Sequence, residues 1–354
     1  GYQVGGVGKF DLHKSTYWWG KNGWISELGD LGFTEAVDNA GKIDAINSYI
    51  NYNPFNNDNI PKKGEKNEPN DPYMKYLQDK GLAELHLKDL KERQKDRYSV
   101  KPTELPEEAY CDNWLSQNGR EMLRNFSQDK PWFLVVNFTG PHGPWDVTRE
   151  MRKAWSEIEF PGPEACDNDE IIKKVKKVRQ NYAAMLENID RNIGLFIEEL
   201  ETRGELENTV IIYASDHGEM LGDFNKWGKT HSNRASVHIP LIIKGPGIKP
   251  GVNSEALVEL QDLTATILDY CDLEMFEAVD SKSLKPVLEG KTNKHRDYQI
   301  SAFKGWKMIC NGKFKLVSRE SGDIELYNIV KDPHEKNNIA SKNKKVVDSL
   351  KFHL

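Results

Sequence analysis

Residues 209–229 read TVIIYASDHGEMLGDFNKWGK. Val210, Ile211, Ile212 and Tyr213 make a continuous β-branched and aromatic run, too short for a helix and too apolar for a half-exposed strand, so it predicts a buried parallel strand. Ser215, Asp216, His217, Gly218 and Glu219 follow where the run stops. A carboxylate and an imidazole therefore leave the carboxyl end of the strand, where open α/β sheets take up ligands. Adjacent oxygen and nitrogen donors, a glycine that lets the backbone turn, and Lys229 downstream point to a metal holding an anion. The competing reading makes Asp216 a helix cap with His217 packed beside it.

Upstream, Val175, Val178, Tyr182, Met185, Ile189, Ile193, Phe196 and Leu200 recur at three- and four-residue steps and define one face of a long helix, ended by Gly204. Helix and strand form a crossover unit of a largely parallel sheet. Residues 133–138, FLVVNF, repeat the buried-strand pattern, and Thr139-Gly140-Pro141-His142-Gly143-Pro144-Trp145 leaves their carboxyl end. The two prolines restrict the backbone on both sides of His142 and pre-position its imidazole. Tyr110, Trp114, Met122, Leu123 and Phe126 fit an amphipathic helix over 106–126. Residues 256–260, then Asp262 and LTATILDYC, read as strand, N-cap and helix. From Tyr298 the character changes: WKMICNGKFKLV carries a two-residue Asn-Gly turn between alternating segments, and residues 324–329 add a strand, so a small antiparallel sheet is expected with Tyr327 near its interface.

These motifs together resemble the sulfatase family of the alkaline-phosphatase-like superfamily. The likeness rests on S-D-H-G-E-x-L-G-D, W-G-K, PLII at 240–243, Gly245-Pro246-Gly247, P-H-x-P around His142 and ELYNIVKDPHEKNNIA at 325–340. It implies an α/β fold with a mainly parallel (mixed) central sheet sandwiched by helices over 1–295, and a small C-terminal antiparallel α+β subdomain over 296–354. Residues 1–14, GYQVGGVGKFDLHK, stand where the family has G-K-W-H-L-G. Lys9 matches by position, Asp11 stands where His is usual, and His13 is the substitute two residues on; an extended strand would put Lys9, Asp11 and His13 on one face. The Walker phosphate-loop spacing is broken by Gln3 and Phe10.

The resemblance implies a sulfuric ester hydrolase acting on a sulfate monoester of a small molecule or glycan. Asp216 and His217 would hold a divalent metal, Ca²⁺ by resemblance, with Mn²⁺ or Mg²⁺ also compatible. Lys9, His13, His142 and Lys229 would be catalytic, and Lys9, His142, Lys229 and Trp145 would bind substrate. Lys9, His142, Asp216, His217 and Lys229 are expected to line one cavity. The family's nucleophile is a formylglycine made from Cys or Ser in C/S-x-P/A-x-R. Cys111, Cys166, Cys271 and Cys310 all lack that context, and the family's N-terminal metal-binding aspartates are also missing, so truncation before Gly1 and an inactive fragment are expected. A phosphonate or phosphodiester hydrolase on the same fold, and a non-catalytic binder of sulfated glycans, are the alternatives.

The composition fits. A net charge of −6 over 354 residues leaves no basic footprint for nucleic acid. No apolar run of about 18 residues reaches membrane-spanning length. The cysteines show neither zinc-site nor disulfide spacing. The resemblance points to a periplasmic or extracellular setting; oligomeric state is not legible. Residues 17–33, rich in aromatics and glycine, read as a long loop, and 51–106 as a variable insertion with a solvated helix in LKDLKERQKDR.

Overall fold

β1 (Gln3–Gly8) runs between β2 (Glu35–Asp38) and β3 (Trp132–Asn137), parallel to both, with Gly8 opposite Asp38 on one side and Asn137 on the other. The computed structural model describes residues 1–10, 25–46, 71–275 and 280–354. Asp11, His13, the tryptophans of the first loop and residues 51–70 of the insertion lie outside them. The described chain packs as two units, Gly1–Pro161 with Lys174–Leu206, and Gly162–Lys173 with Glu207–Leu354.

In the first unit the Cys111–Asn125 helix packs on the parallel sheet, with Met122 over Gly5 and Gly119 beside Val136, while its buried Trp114 meets Tyr73. Gly5 makes that approach close enough to matter: a Cβ there would lie 2.6 Å from Met122 Sδ and from the Phe126 ring. β1 stops at Gly8, whose φ of 119° turns the chain away, so Lys9 sits just past the strand and not on its alternating face. The Ala83–Arg93 helix buries His86, Leu87 and Leu90, more than a solvated charged helix would. The long helix spans Asp169–Thr202, its first residues counted in the second unit and those from Lys174 onward in the first. Asn168 Oδ1 caps its start, accepting from Glu170 N at 3.0 Å and Ile171 N at 3.2 Å, and Gly204, at φ 67°, ends it as the sequence predicts.

In the second unit β4 (Ile211–Ala214) departs from expectation. It is half-buried and pairs antiparallel with β5 (Leu241–Lys244), Tyr213 facing Ile242. A short apolar run reads alike in either direction, because strand direction is set by a partner about 30 residues away in sequence and not by local pattern. Residues 256–260 form no strand. Helix Asp262–Tyr270 is present, but Asp262 lies inside it and is buried, accepting from Glu259 N and Lys282 N at 2.9 Å and pairing with Arg296.

Four antiparallel strands close the chain: β6 (Gln299–Phe303), β7 (Trp306–Cys310), β8 (Phe314–Arg319) and β9 (Ile324–Asn328). The β7–β8 turn falls one residue later than predicted. Asn311 already pairs with Phe314, Gly312 takes φ 82°, and Asn311 Oδ1 accepts from Phe314 N at 2.8 Å. Alternation splits this sheet cleanly. Ile309, Leu316 and Leu326 pack toward Leu350 of the C-terminal helix, while Trp306, Met308 and Val317 pack on Val237. Tyr327 stands opposite Lys315, and its hydroxyl donates to Glu325 at 3.1 Å.

Candidate active site

The Asp216–His217 turn follows β4 directly. His217 Nδ1 lies 2.8 Å from the Gly218 carbonyl, which can only accept, so Nδ1 carries the proton. In the neutral ring Nε2 then presents its lone pair, and Lys229 Nζ lies 2.9 Å away to donate to it. The two contacts select one tautomer. Asp216 Oδ2 is 3.4 Å from the same Nε2 in a largely exposed position, and Asp216 Oδ1 accepts from His217 N at 2.9 Å. Carboxylate, imidazole and ammonium thus converge in one cluster.

Close backbone packing holds that turn. Gly218 N donates to Ser236 O at 2.8 Å, and a Cβ on Gly218 would meet Ala235 O at 2.0 Å. Met220 N donates to Gly228 O at 3.1 Å, folding the segment back so that Lys229 returns beside His217. One carboxylate oxygen and a deprotonated imidazole nitrogen face each other, a donor pair that suits part of a divalent-cation shell once Lys229 Nζ releases the Nε2 lone pair. Among the described residues no group of three or more His, Cys, Asp and Glu side chains could hold a metal.

His142 and Lys9 belong to the first unit. His142 is exposed, with Nδ1 2.7 Å from Gly143 O, again fixing the proton on Nδ1. Three anchors hold its loop, none of them evident in the sequence. Asp112 Oδ1 accepts from Thr139 N at 2.7 Å and Thr139 Oγ1 at 2.9 Å, and Gly140 N lies 3.1 Å from Oδ2. Buried Lys42 donates to Pro144 O at 3.2 Å and pairs with buried Asp146 at 2.6 Å. Asn181 donates to Trp145 O at 2.7 Å. Lys9 leaves the neighbouring strand; its N–H donates to Asn137 O at 3.3 Å and its Nζ lies 3.8 Å from Asp44.

Trp145, expected at the substrate, is 5% exposed and stacks on Tyr98 with ring centroids 6.3 Å apart. Its large apolar ring is taken up by interior packing. His13 lies outside the described residues. The signal that could have pointed to Asp112 is its place between Tyr110 and Trp114, on a helix face that had to be buried.

A family model described as Sulfatase matches residues 1–273, and one described as N-sulphoglucosamine sulphohydrolase, C-terminal, matches 222–354. The chain belongs to the sulfatase family. Among sulfatase relatives, an arylsulfatase of Clostridium perfringens is 27% identical over 268 residues, covering 68% of this chain and 56% of its own length. An N-acetylglucosamine-6-O-sulfatase of Bacteroides thetaiotaomicron is 33% identical over 184 residues, covering 48% of this chain and 33% of its own. The chain spans about half the length of the first curated relatives it matches. In fold it is similar to the phosphonate monoester hydrolase of Agrobacterium radiobacter, at TM-score 0.69 and 19% identity, covering 98% of this chain and 76% of that one. That likeness concerns the fold alone. Among the described residues no helix is long and apolar enough to cross a membrane.

Proposed function

We propose that the full-length protein is a metal-dependent sulfuric ester hydrolase acting on a sulfated carbohydrate, with residues 1–295 in its catalytic domain and 296–354 in a small subdomain. The observation that carries this is the Asp216–His217–Lys229 cluster, in which the imidazole lone pair is oriented and a carboxylate stands beside it. Sulfatase family membership supports the reaction, and the N-acetylglucosamine-6-O-sulfatase relative supports the substrate class.

A sulfate monoester resists attack because its oxygens repel nucleophiles and its alcohol leaves poorly. Asp216 and His217 would hold a divalent ion, Ca²⁺ by resemblance, which when bound supplies positive charge beside the sulfate oxygens. Lys229 would add ammonium charge for the oxygens, and the same role is proposed for Lys9. His142 is proposed to contact or protonate the bridging oxygen; with Nδ1 committed to Gly143 O, the ring nitrogen it would offer is Nε2. The family's nucleophile is a formylglycine, and none of Cys111, Cys166, Cys271 and Cys310 stands in the context that its formation requires.

The test is sulfate release by the full-length protein from 4-nitrophenyl sulfate and 6-O-sulfated N-acetylglucosamine, with a phenylphosphonate ester as control. Release should stop with chelator and return with Ca²⁺. Asp216→Asn should weaken metal binding about tenfold or more by calorimetry and slow turnover. Cleavage of the phosphonate without sulfate release would overturn the reading, and unchanged metal affinity in Asp216→Asn would make that residue structural.

A further inference from the structure

The backbone just past Lys229 is held from behind at alternate residues. Trp306 Nε1 donates to Thr230 O at 2.9 Å, Lys315 Nζ donates to Ser232 O, and Glu335 Oε2 accepts from Arg234 N at 3.0 Å. Trp306 and Lys315 lie on one face of the C-terminal sheet, and Glu335 comes from the loop after β9. Glu335 Oε1 also pairs with Lys315 Nζ at 2.6 Å, with both side chains at most 4% exposed.

An apolar contact would be enough to stick sheet and loop together, and Met308, Val317 and Val237 already make one. A buried ion pair adds little to adhesion, because desolvating both charges offsets most of their attraction. What this pair adds is direction: each charge is spent on one backbone group of the loop. The second observation is Thr230 itself, at φ 79°, a rare conformation for a β-branched residue that persists only where its surroundings over-determine it. The strained residue itself carries the first clamped carbonyl and directly follows Lys229, whose Nζ meets His217 Nε2.

We propose that Lys315, Glu335 and Trp306 are positioning residues that hold Lys229 against His217, so that the C-terminal sheet sets the geometry of the Asp216–His217–Lys229 cluster. Its kinetic consequence rests on the sulfatase reading; its geometric consequence does not.

The experiment uses the full-length protein with ¹⁵N-labelled histidine, comparing wild type with Lys315→Met/Glu335→Gln, which removes both charges together and leaves no unpaired ion. Trp306→Phe, which removes one indole N–H from Thr230, serves if the double variant does not fold. In a folded variant the His217 Nε2 resonance should move, and amide exchange at 230–234 should quicken about tenfold. Turnover should fall about tenfold with KM within about twofold, because a small misplacement of a charge-stabilising group acts on the transition state. Faster exchange with an unmoved His217 resonance would reduce the clamp to structural glue and overturn the proposal, as would unchanged exchange. If the wild type releases no sulfate, the functional reading falls, while resonance and exchange still decide the clamp.

Discussion

Asp112 and Thr139 are joined twice, one carboxylate oxygen taking both the backbone N–H at 2.7 Å and the hydroxyl at 2.9 Å. The aspartate opens the helix behind the parallel sheet, and the threonine begins the loop that carries His142. A helix that packs rigidly on β1 and β3 is therefore also the mount for an exposed histidine. Asp112→Ala should cost about 2–3 kcal/mol, because it leaves the part-buried Thr139 and Gly140 N–H groups without an acceptor. Asp112→Asn, which keeps one acceptor oxygen, should recover a good part of that. Urea unfolding of the three proteins checks this, and an alanine variant as stable as wild type would show that the loop finds other partners.

Gly218→Ala should be disruptive out of proportion to one methyl group. The added Cβ would sit 2.0 Å from Ala235 O, a backbone atom that cannot swing aside. The turn would have to move, taking His217 away from Lys229, at a cost of about 1–3 kcal/mol. A crystal structure of the variant with both residues in place would contradict this.

Asp71 gives the protein a pH-dependent term. It is fully buried, and burial pushes its carboxyl up from 3.8 to about 6, against the opposing hydrogen bonds from Ala40 N and Met74 N. A folded-state value above the unfolded one means that its contribution is fully present below pH 4 and is lost as pH rises through 6. Relative to Asp71→Asn, which does not titrate, wild type should lose roughly 2 kcal/mol between pH 4 and pH 7. Parallel stability curves for the two proteins would refute the assignment.

The four thiols should separate by reactivity. Cys111 is fully buried and Cys310 nearly so, and burial pushes both thiols up, holding them as neutral SH. Cys166 and Cys271 are partly exposed and should react first with a disulfide reagent at pH 8. Cys111 and Cys310 should react only on unfolding. Labelling of Cys111 at the rate of Cys166 would mean that the first unit opens readily.

Much of the fold was legible because periodicity reports burial. The Asp169–Thr202 helix follows from its apolar stripe and Gly204, and the C-terminal hairpin from alternation around Asn311-Gly312. β4 shows where that stops. Its run of apolar residues announced a strand, but its antiparallel pairing depends on β5, and nothing in four residues encodes a partner. The site divides in the same way. His142, Asp216, His217 and Lys229 stand in distinctive local contexts. Lys42 and Glu335 do not, because an isolated charge reads as surface until the fold shows that it is buried, and Asp112 is marked only by its place between Tyr110 and Trp114.

The clamp behind Lys229 also has an order in time. Arg234 and Glu335 are 101 residues apart, and Ser232 and Lys315 are 83 apart, so a ribosome delivers the loop well before the side chains that hold it. Until Glu335 emerges, Lys315 has no carboxylate beside it and stays in water, since burying an unpaired ammonium is prohibitive. The contacts of Lys315 and Glu335 with the loop after Lys229 thus form only once residue 335 has been made. A chain that ends before residue 335 lacks the carboxylate that meets both Arg234 N and Lys315.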